Sequence, residues 1–215
     1  METAEHTGDI VSFDHEALII VDAQDQILGH DTKSALHEGA GTLHRAFSIF
    51  LFNDAGNVLL QQRSEHKRLW PGFWSNTCCS HPRRGETYAV ATQRRLWEEL
   101  GIECELWFTH RFRYQAQYDA NGAEHELCSV YVGRYDRDPA PNPQEIAAHQ
   151  WIAPEALDAW IAKTPETLTP WLKLEWQALR SGQHAEVLHR AGLHWSLDKR
   201  SEEHTSELQS PCNLV

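Results

Sequence analysis

No apolar run in this 215-residue sequence approaches the roughly 20 residues that a membrane span needs. The opening METAEHTGD has neither a basic n-region nor an apolar h-region, so no secretory leader is expected. Five cysteines, of which only Cys78 and Cys79 are adjacent, do not make a disulfide framework. Together these absences lead to the expectation of a soluble, reduced, cytoplasmic protein with no membrane partner. Excess positive charge is missing too: 19 Lys and Arg stand against 31 Asp and Glu, a net −12, which argues against nucleic acid as a partner. A few local Lys and Arg side chains could still hold a small anion. Internal repeats and Gly/Ser-rich linkers are absent, so one domain is expected. An apolar fraction of 41% with nine tryptophans excludes wholesale disorder.

The elements read from the pattern are short strands and a few helices. ALIIV (17–21) reads as a buried strand, followed by a turn over 22–26. FSIFLF (47–52) and VLLQQR (58–63) read as hairpin partners across the turn NDAGN (53–57). Residues 85–100 read as a helix with Ala89, Leu96 and Leu100 apolar and Gly101 as its stop. Strands are expected over 105–118 and 126–134, around the loop DANG (119–122), with a short strand at 150–152. Helices are expected over 154–162 and 170–179. Antiparallel strands interleaved with helices predict an α+β domain or α/β/α layers.

The segment WSNTCCSHP (74–82) sets the thiol of Cys79 two residues from the imidazole of His81. Glu124 and Glu126, two apart, share one face of a strand. Two carboxylates held together repel unless a cation lies between them or one is protonated. Taken alone, the pair is equally the solvated face of a strand. His37 and His44 add two imidazoles. Three imidazoles and two carboxylates suit a five- or six-coordinate divalent ion better than a closed tetrahedral zinc, and Mn2+, Fe2+, Mg2+ and Zn2+ all fit.

The helix carries RRLWEELGI (94–102), which resembles the end of the Nudix box, with Glu86 in the earlier glutamate place and Arg94, Glu98, Glu99, Gly101 and Ile102 matching. Arg95 stands where the box has glutamate, and Ser80 where it has its leading glycine. The residues Lys33, His37 and His44, LHRAFSIFLFN, Arg63 and Lys67, WPGFWSNTCCSHP, this modified helix, FRYQAQYDANGAEHE and TPWLK follow the order of a type 1 isopentenyl-diphosphate Δ-isomerase, and Arg95 is that family's pattern. The chain resembles that family over roughly residues 18–179.

The resemblance implies a Nudix-like fold with a mixed, largely antiparallel sheet flanked by helices. It implies an isomerase of isoprene biosynthesis, converting isopentenyl diphosphate to dimethylallyl diphosphate through a tertiary carbocation. Cys79 and Glu126 would be the acid/base pair on opposite faces of the allyl unit, Tyr114 would assist Glu126, and Trp171 would offer its π-face to the cation. The metal, Mn2+, Zn2+ or Mg2+, would sit on His37, His44, His81, Glu124 and Glu126. Lys33, Arg63, Lys67 and Arg95 would hold the diphosphate, with a separate Mg2+ near Glu99 and Cys79. Cys78 reads as a packing residue. A Nudix diphosphohydrolase and a non-catalytic metal-binding protein are the rival readings. Arg95 argues against the first, and the thiol with its aromatic cap against the second. A monomer is expected.

RSEEHTSELQS (200–210) resembles the conceptual translation of a common sequencing adapter, so the domain is expected to span 1–199, with 200–215 a non-native, disordered tail. Residues 201–215 carry three glutamates and Cys212, and without them the net charge is −9 with four cysteines.

Overall fold

A computed structural model describes residues 8–193, so the expectation for the 200–215 tail lies outside the described residues. The elements run β1 (Ala17–Val21), β2 (Ile27–Thr32), α1 (Lys33–Leu36), β3 (His44–Phe52), β4 (Val58–Arg63), β5 (Trp74–Ser75), β6 (Cys78–Ser80), α2 (Tyr88–Leu100), β7 (Leu106–Asp119), β8 (Gly122–Arg134), β9 (Ile146–Ile152), α3 (Pro154–Lys163), a 3-10 turn (Pro165–Thr167), α4 (Pro170–Arg180) and α5 (Ala185–Arg190).

β3 is the axis of the sheet. On one side it pairs in parallel with β8 along its whole length, His44 opposite Glu126 through Phe52 opposite Arg134. On the other it meets β1 at Ile20, β6 at 78–80 and β4 at a single pair, Phe52 with Val58. The expected hairpin is therefore only a shared turn. After it β4 leaves β3 and pairs with β9 and β5. The remaining pairings are antiparallel, including β1 with β2 and the long β7–β8 hairpin.

Both faces of β3 are covered, which is why FSIFLF reads as an unbroken apolar run. Phe47, Ile49 and Leu51 pack with Ala91, Leu96, Leu100 and Ile102 of the α2 side. Phe50 and Phe52 pack on the opposite face with Leu172, Trp176 and Leu179 of α4. Trp176 stacks on both phenylalanines at centroid distances of 6.2 and 6.4 Å. The result is the three-layer arrangement expected.

α2 starts at Thr87, whose side chain accepts from the Val90 amide, and ends at Gly101 in the left-handed conformation, φ 65°. Its buried stripe is Ala91, Thr92, Arg95, Leu96, Glu99 and Leu100, while the expected core residue Ala89 is exposed. An arginine and a glutamate inside a stripe that is otherwise uncharged mark the part of the helix that turns to the site. Among the described residues no helix is long and apolar enough to cross a membrane.

Candidate active site

Strand register decides which side chains converge. In a strand alternate residues share a face. Ala46, Ser48 and Phe50 of β3 face α4, and so does Cys79, which pairs with Ser48. Cys78 pairs with Ile49 and packs in the α2-side core, fully buried. On β8, Glu124, Glu126 and Cys128 run along the α4 face towards Val130 and Val132. Tyr114 on β7 is the direct partner of Glu126. Thus Cys79 and Glu126 arrive from the two strands that flank β3 on opposite sides, and both line one cavity of about 390 Å³.

His37, His81, Glu124 and Glu126 line one end of that cavity, with His44 just behind them; all five are buried, with donor atoms within 4.8 Å of one another. His37 Nε2 is 2.9 Å from Glu124, and His81 Nε2 is 2.8 Å from Glu126 Oε1, with His44 Nε2 3.9 Å from the same oxygen. The Nδ1 atoms of His37 and His44 lie 2.6 and 2.7 Å from the carbonyls of Lys33 and Thr42. Those carbonyls can only accept, so Nδ1 carries the proton that it donates, and Nε2 is turned inward. His44 Nε2 is buried without a hydrogen-bond partner, while Glu124 Oε2 faces His37 Nε2 at 2.9 Å. Burial, reinforced by His37, holds the His44 imidazole down at about 4, and burial with its two histidine neighbours holds His81 well below the ordinary range. Two imidazoles held neutral, the unpartnered His44 Nε2 and an N3O2 donor set fit a divalent cation. Burial alone would lower His37, but the Glu124 carboxylate outweighs it and raises its proton affinity.

Chain geometry brings His37 there. Gly122 has φ 148°, and a Cβ at that position would lie 2.1 Å from the His37 carbonyl oxygen. Its neighbour Ala123 donates an amide hydrogen bond to that same oxygen at 3.0 Å. The glycine lets α1 and the start of β8 touch.

The proton-transfer candidates differ in environment. Burial pushes the Cys79 thiol up to about 12, against the pull of Arg63, whose Nη1 lies 3.8 Å from Sγ. Burial and the Glu124 charge raise Glu126 well above the carboxylate range. The Tyr114 hydroxyl donates to Glu126 Oε2 at 2.6 Å. Trp171 sits at the second position of α4, after Pro170, which suits a first helical turn. Its indole N–H donates to Ser75 and Asn76 at 3.0 and 3.1 Å. These bonds fix the orientation of the ring at the cavity wall. The Arg63 guanidinium lies over the ring at 5.3 Å.

Lys33, Arg63, Lys67 and Arg95 all line the cavity. Burial, then Lys67 and Arg95, lowers Lys33 to about 8. Arg63 is fixed by the carbonyls of Leu69 and Trp70 at 2.8 and 3.1 Å. Trp70 holds φ 50°, a strained backbone for a side chain of that size. Arg95 grips Glu99 Oε1 through two nitrogens at 3.0 and 2.7 Å and donates to the Val11 carbonyl at 3.0 Å. Glu99 and His44 stand behind the cavity wall. Glu99 Oε2 is buried with no hydrogen-bond partner. Arg94 grips Glu86 at 2.8 and 2.9 Å, which pins the loop before α2 to the helix.

Several cavity residues escaped the sequence reading. Glu145 bridges Lys67 and Arg95, and Ser12 accepts from Lys33. Neither sits in a motif: Glu145 follows a proline-rich turn and Ser12 an irregular strap. Ser75 and Asn76 did lie inside the segment 74–82, but nothing in their spacing announced that they orient an indole 95 residues away.

The profile of the NUDIX domain matches residues 42–172. A Burkholderia multivorans protein named isopentenyl-diphosphate Delta-isomerase is 45% identical over 156 residues, covering 73% of this chain and 88% of its own. One of the same name from Halorhodospira halophila is 43% identical over 160 residues, covering 74% and 91%. Among solved structures, DR0079 from Deinococcus radiodurans superposes with a TM-score of 0.64 at 26% identity, over 76% of this chain and 98% of that one. A MutT protein from Methanosarcina mazei, at 19% identity and TM-score 0.52 over 64% and 91%, shares the fold.

Proposed function

The chain belongs to the NUDIX family and, within it, to the isopentenyl-diphosphate Delta-isomerases, and on that premise we propose how its residues divide the reaction. It is an enzyme that interconverts isopentenyl and dimethylallyl diphosphate, a step of isoprenoid biosynthesis. An isolated alkene is a weak base, and its protonation leaves a tertiary cation that water would trap. The site must therefore supply an acid, a base on the other side, a dry wall and a stabiliser of positive charge.

In this reading Cys79 and Glu126 are the two proton-transfer groups, each the acid in one direction and the base in the other. The observation that carries it is their approach to one cavity from strands on either side of β3. Burial raises the proton affinity of both groups, so whichever holds the proton can deliver it as the acid while the other, unprotonated, takes one up as the base, and the two exchange states in each turnover. Tyr114 orients Glu126 and keeps one of its oxygens occupied. Trp171 excludes water and turns a π-face to the cation. Lys33, Arg63, Lys67 and Arg95 bind the diphosphate, which must compete with Glu145, Ser12 and the Val11 carbonyl for their hydrogens.

His37, His44, His81, Glu124 and Glu126 would hold a divalent ion, Mn2+, Zn2+ or Mg2+, and Glu99 with Cys79 would meet a Mg2+ that arrives with the diphosphate. Those ions supply positive charge that neutralises phosphate and orders the carboxylates. Arg95 in place of a box glutamate, tied to Glu99, favours isomerisation over hydrolysis. The need for a free thiol, and four described cysteines that are all free, support a reducing, cytoplasmic setting. We take the enzyme to be a monomeric domain over 1–199, so that truncation after Lys199 leaves rate and melting temperature unchanged.

The test is incubation of the purified protein with isopentenyl diphosphate and Mg2+. The dimethylallyl isomer should accumulate without release of phosphate. Phosphate release from nucleoside diphosphate derivatives, without isomerisation, would establish the hydrolase instead.

A further inference from the structure

α4 buries the stripe Trp171, Leu172, Glu175, Trp176 and Leu179, and Glu175 is the one ionisable member. Its side chain is fully buried. Packing alone would be met by leucine or methionine, and burying a carboxyl costs free energy unless it is bonded. Glu175 Oε1 lies 3.5 Å from Cys128 Sγ, which in turn is 3.6 Å from Ser48 Oγ. Oε2 makes no direct hydrogen bond.

Those two partners occupy telling positions. Cys128 follows Glu126 by two residues on the same face of β8. Ser48 is the β3 residue paired with Cys79. The chain Glu175–Cys128–Ser48 therefore runs beneath the site and joins the strand of one proton-transfer group to the partner of the other. Glu175 is also one helical turn from Trp171.

We propose that Glu175 is a positioning residue of the isomerisation: its buried carboxyl, accepting from the Cys128 thiol, holds the Cys128–Ser48 contact between β8 and β3, and so sets how far Glu126 and Cys79 reach into the cavity. The proposal rests on the isomerase reading above. Burial, with only Ser48 and Cys128 beside it to favour the anion, raises Glu175 to about 8. The groups around it explain why the proton stays. Cys128 is itself pushed up by burial and by Glu175, and Glu126 is another acid. On α4, Lys173 and Arg180 turn to the Pro165 carbonyl and to Asp158 of α3, so neither cation is directed at Glu175. Ionisation would place a negative charge beneath Glu126, raising its proton affinity further, and would draw the Cys128 S–H towards the carboxylate and away from Ser48.

The experiment is the pH dependence of kcat and KM for isopentenyl diphosphate in Glu175→Gln and Glu175→Leu, with circular dichroism at each pH. Glutamine keeps the bonding and removes the titration. Leucine keeps the bulk and removes both. At pH 7 the leucine variant should lose about tenfold in kcat with KM little changed, and glutamine should restore most of the rate. Parent kcat should fall above pH 8, and Glu175→Gln should lack that fall. Lys33, also near 8, would act through KM and is thereby separated. Superimposable kcat profiles for parent and Glu175→Gln would overturn the proposal, even if the leucine variant failed to fold. A parent with no isomerisation at any pH would instead overturn the isomerase reading.

Discussion

Replacing Gly122 with alanine should weaken the His/Glu metal site well before it threatens the fold. The added Cβ would lie 2.1 Å from the His37 carbonyl oxygen and 3.2 Å from its carbon. An ordinary contact requires the two to part by about 1 Å. Backbone at φ 148° adds strain of about 1–3 kcal/mol for an L-residue. Loss of the Ala123 N–H to His37 bond adds about 1 kcal/mol. Summed, this lies below the roughly 5–15 kcal/mol of a typical domain, so the chain should still fold. Metal ligation is less forgiving, with ligand distances tolerated to about 0.2 Å. A His37 displaced by about 1 Å, with its Nδ1 partner Lys33 carried along, should lower affinity by about 10–100-fold. Calorimetric titration of Mn2+ or Zn2+ into chelator-treated protein reads the effect, with circular dichroism as the check on folding. Parental affinity and stoichiometry in a folded Gly122→Ala variant would refute the claim that this contact delivers His37 to the metal.

Cys79→Ala should lower the isomerisation rate by about 10²–10⁴-fold while diphosphate binding persists, whereas Cys78→Ala, in the opposite core, should cost stability and little rate. A dead Cys78→Ala beside an active Cys79→Ala would reverse that assignment. Trp171→Phe should retain part of the rate and Trp171→Leu lose about thirtyfold more, because a cation–π contact in a dry site is worth about 2 kcal/mol or more. Equal rates for the two would leave only the water-excluding role. Stability should also track Glu175: its folded value of about 8 is raised above the ordinary carboxylate, so its contribution is full below about 4.5 and is lost as pH rises through 8. That amounts to roughly 3–5 kcal/mol at pH 9, and the melting temperature of Glu175→Gln should fall less between pH 6 and 9 than that of the parent.

Local chemistry was legible in the sequence where it is carried by adjacent residues. β1, the turn after it, the stop at Gly101 and the proline-led starts of α3 and α4 depend on nearest neighbours, and they lie where the pattern places them. The five His and Glu side chains were named from residue type and resemblance, and the fold brings all five together. What escaped depends on distant pairing. β8 begins at Gly122 rather than 126 and β9 at Ile146 rather than 150, because their edges are set by β7 and β4. The parallel union of β3 with β8 joins segments about 80 residues apart, and no local spacing encodes it. β2, α1, β6 and α5 are too short for a periodicity to show. Glu145 and Glu175 look like ordinary helix or turn acids until the fold buries them.

In the proposed mechanism two separate groups, Cys79 and Glu126, add and remove protons at different carbons of an intact diphosphate. Turnover of isopentenyl diphosphate in D2O, followed by NMR, tests it most directly. Dimethylallyl diphosphate should carry solvent deuterium in its new methyl group and should form with loss of a hydrogen from the carbon adjoining the CH2O end. Product free of solvent deuterium would mean that one group shuttles the same proton, and would contradict the two-group site.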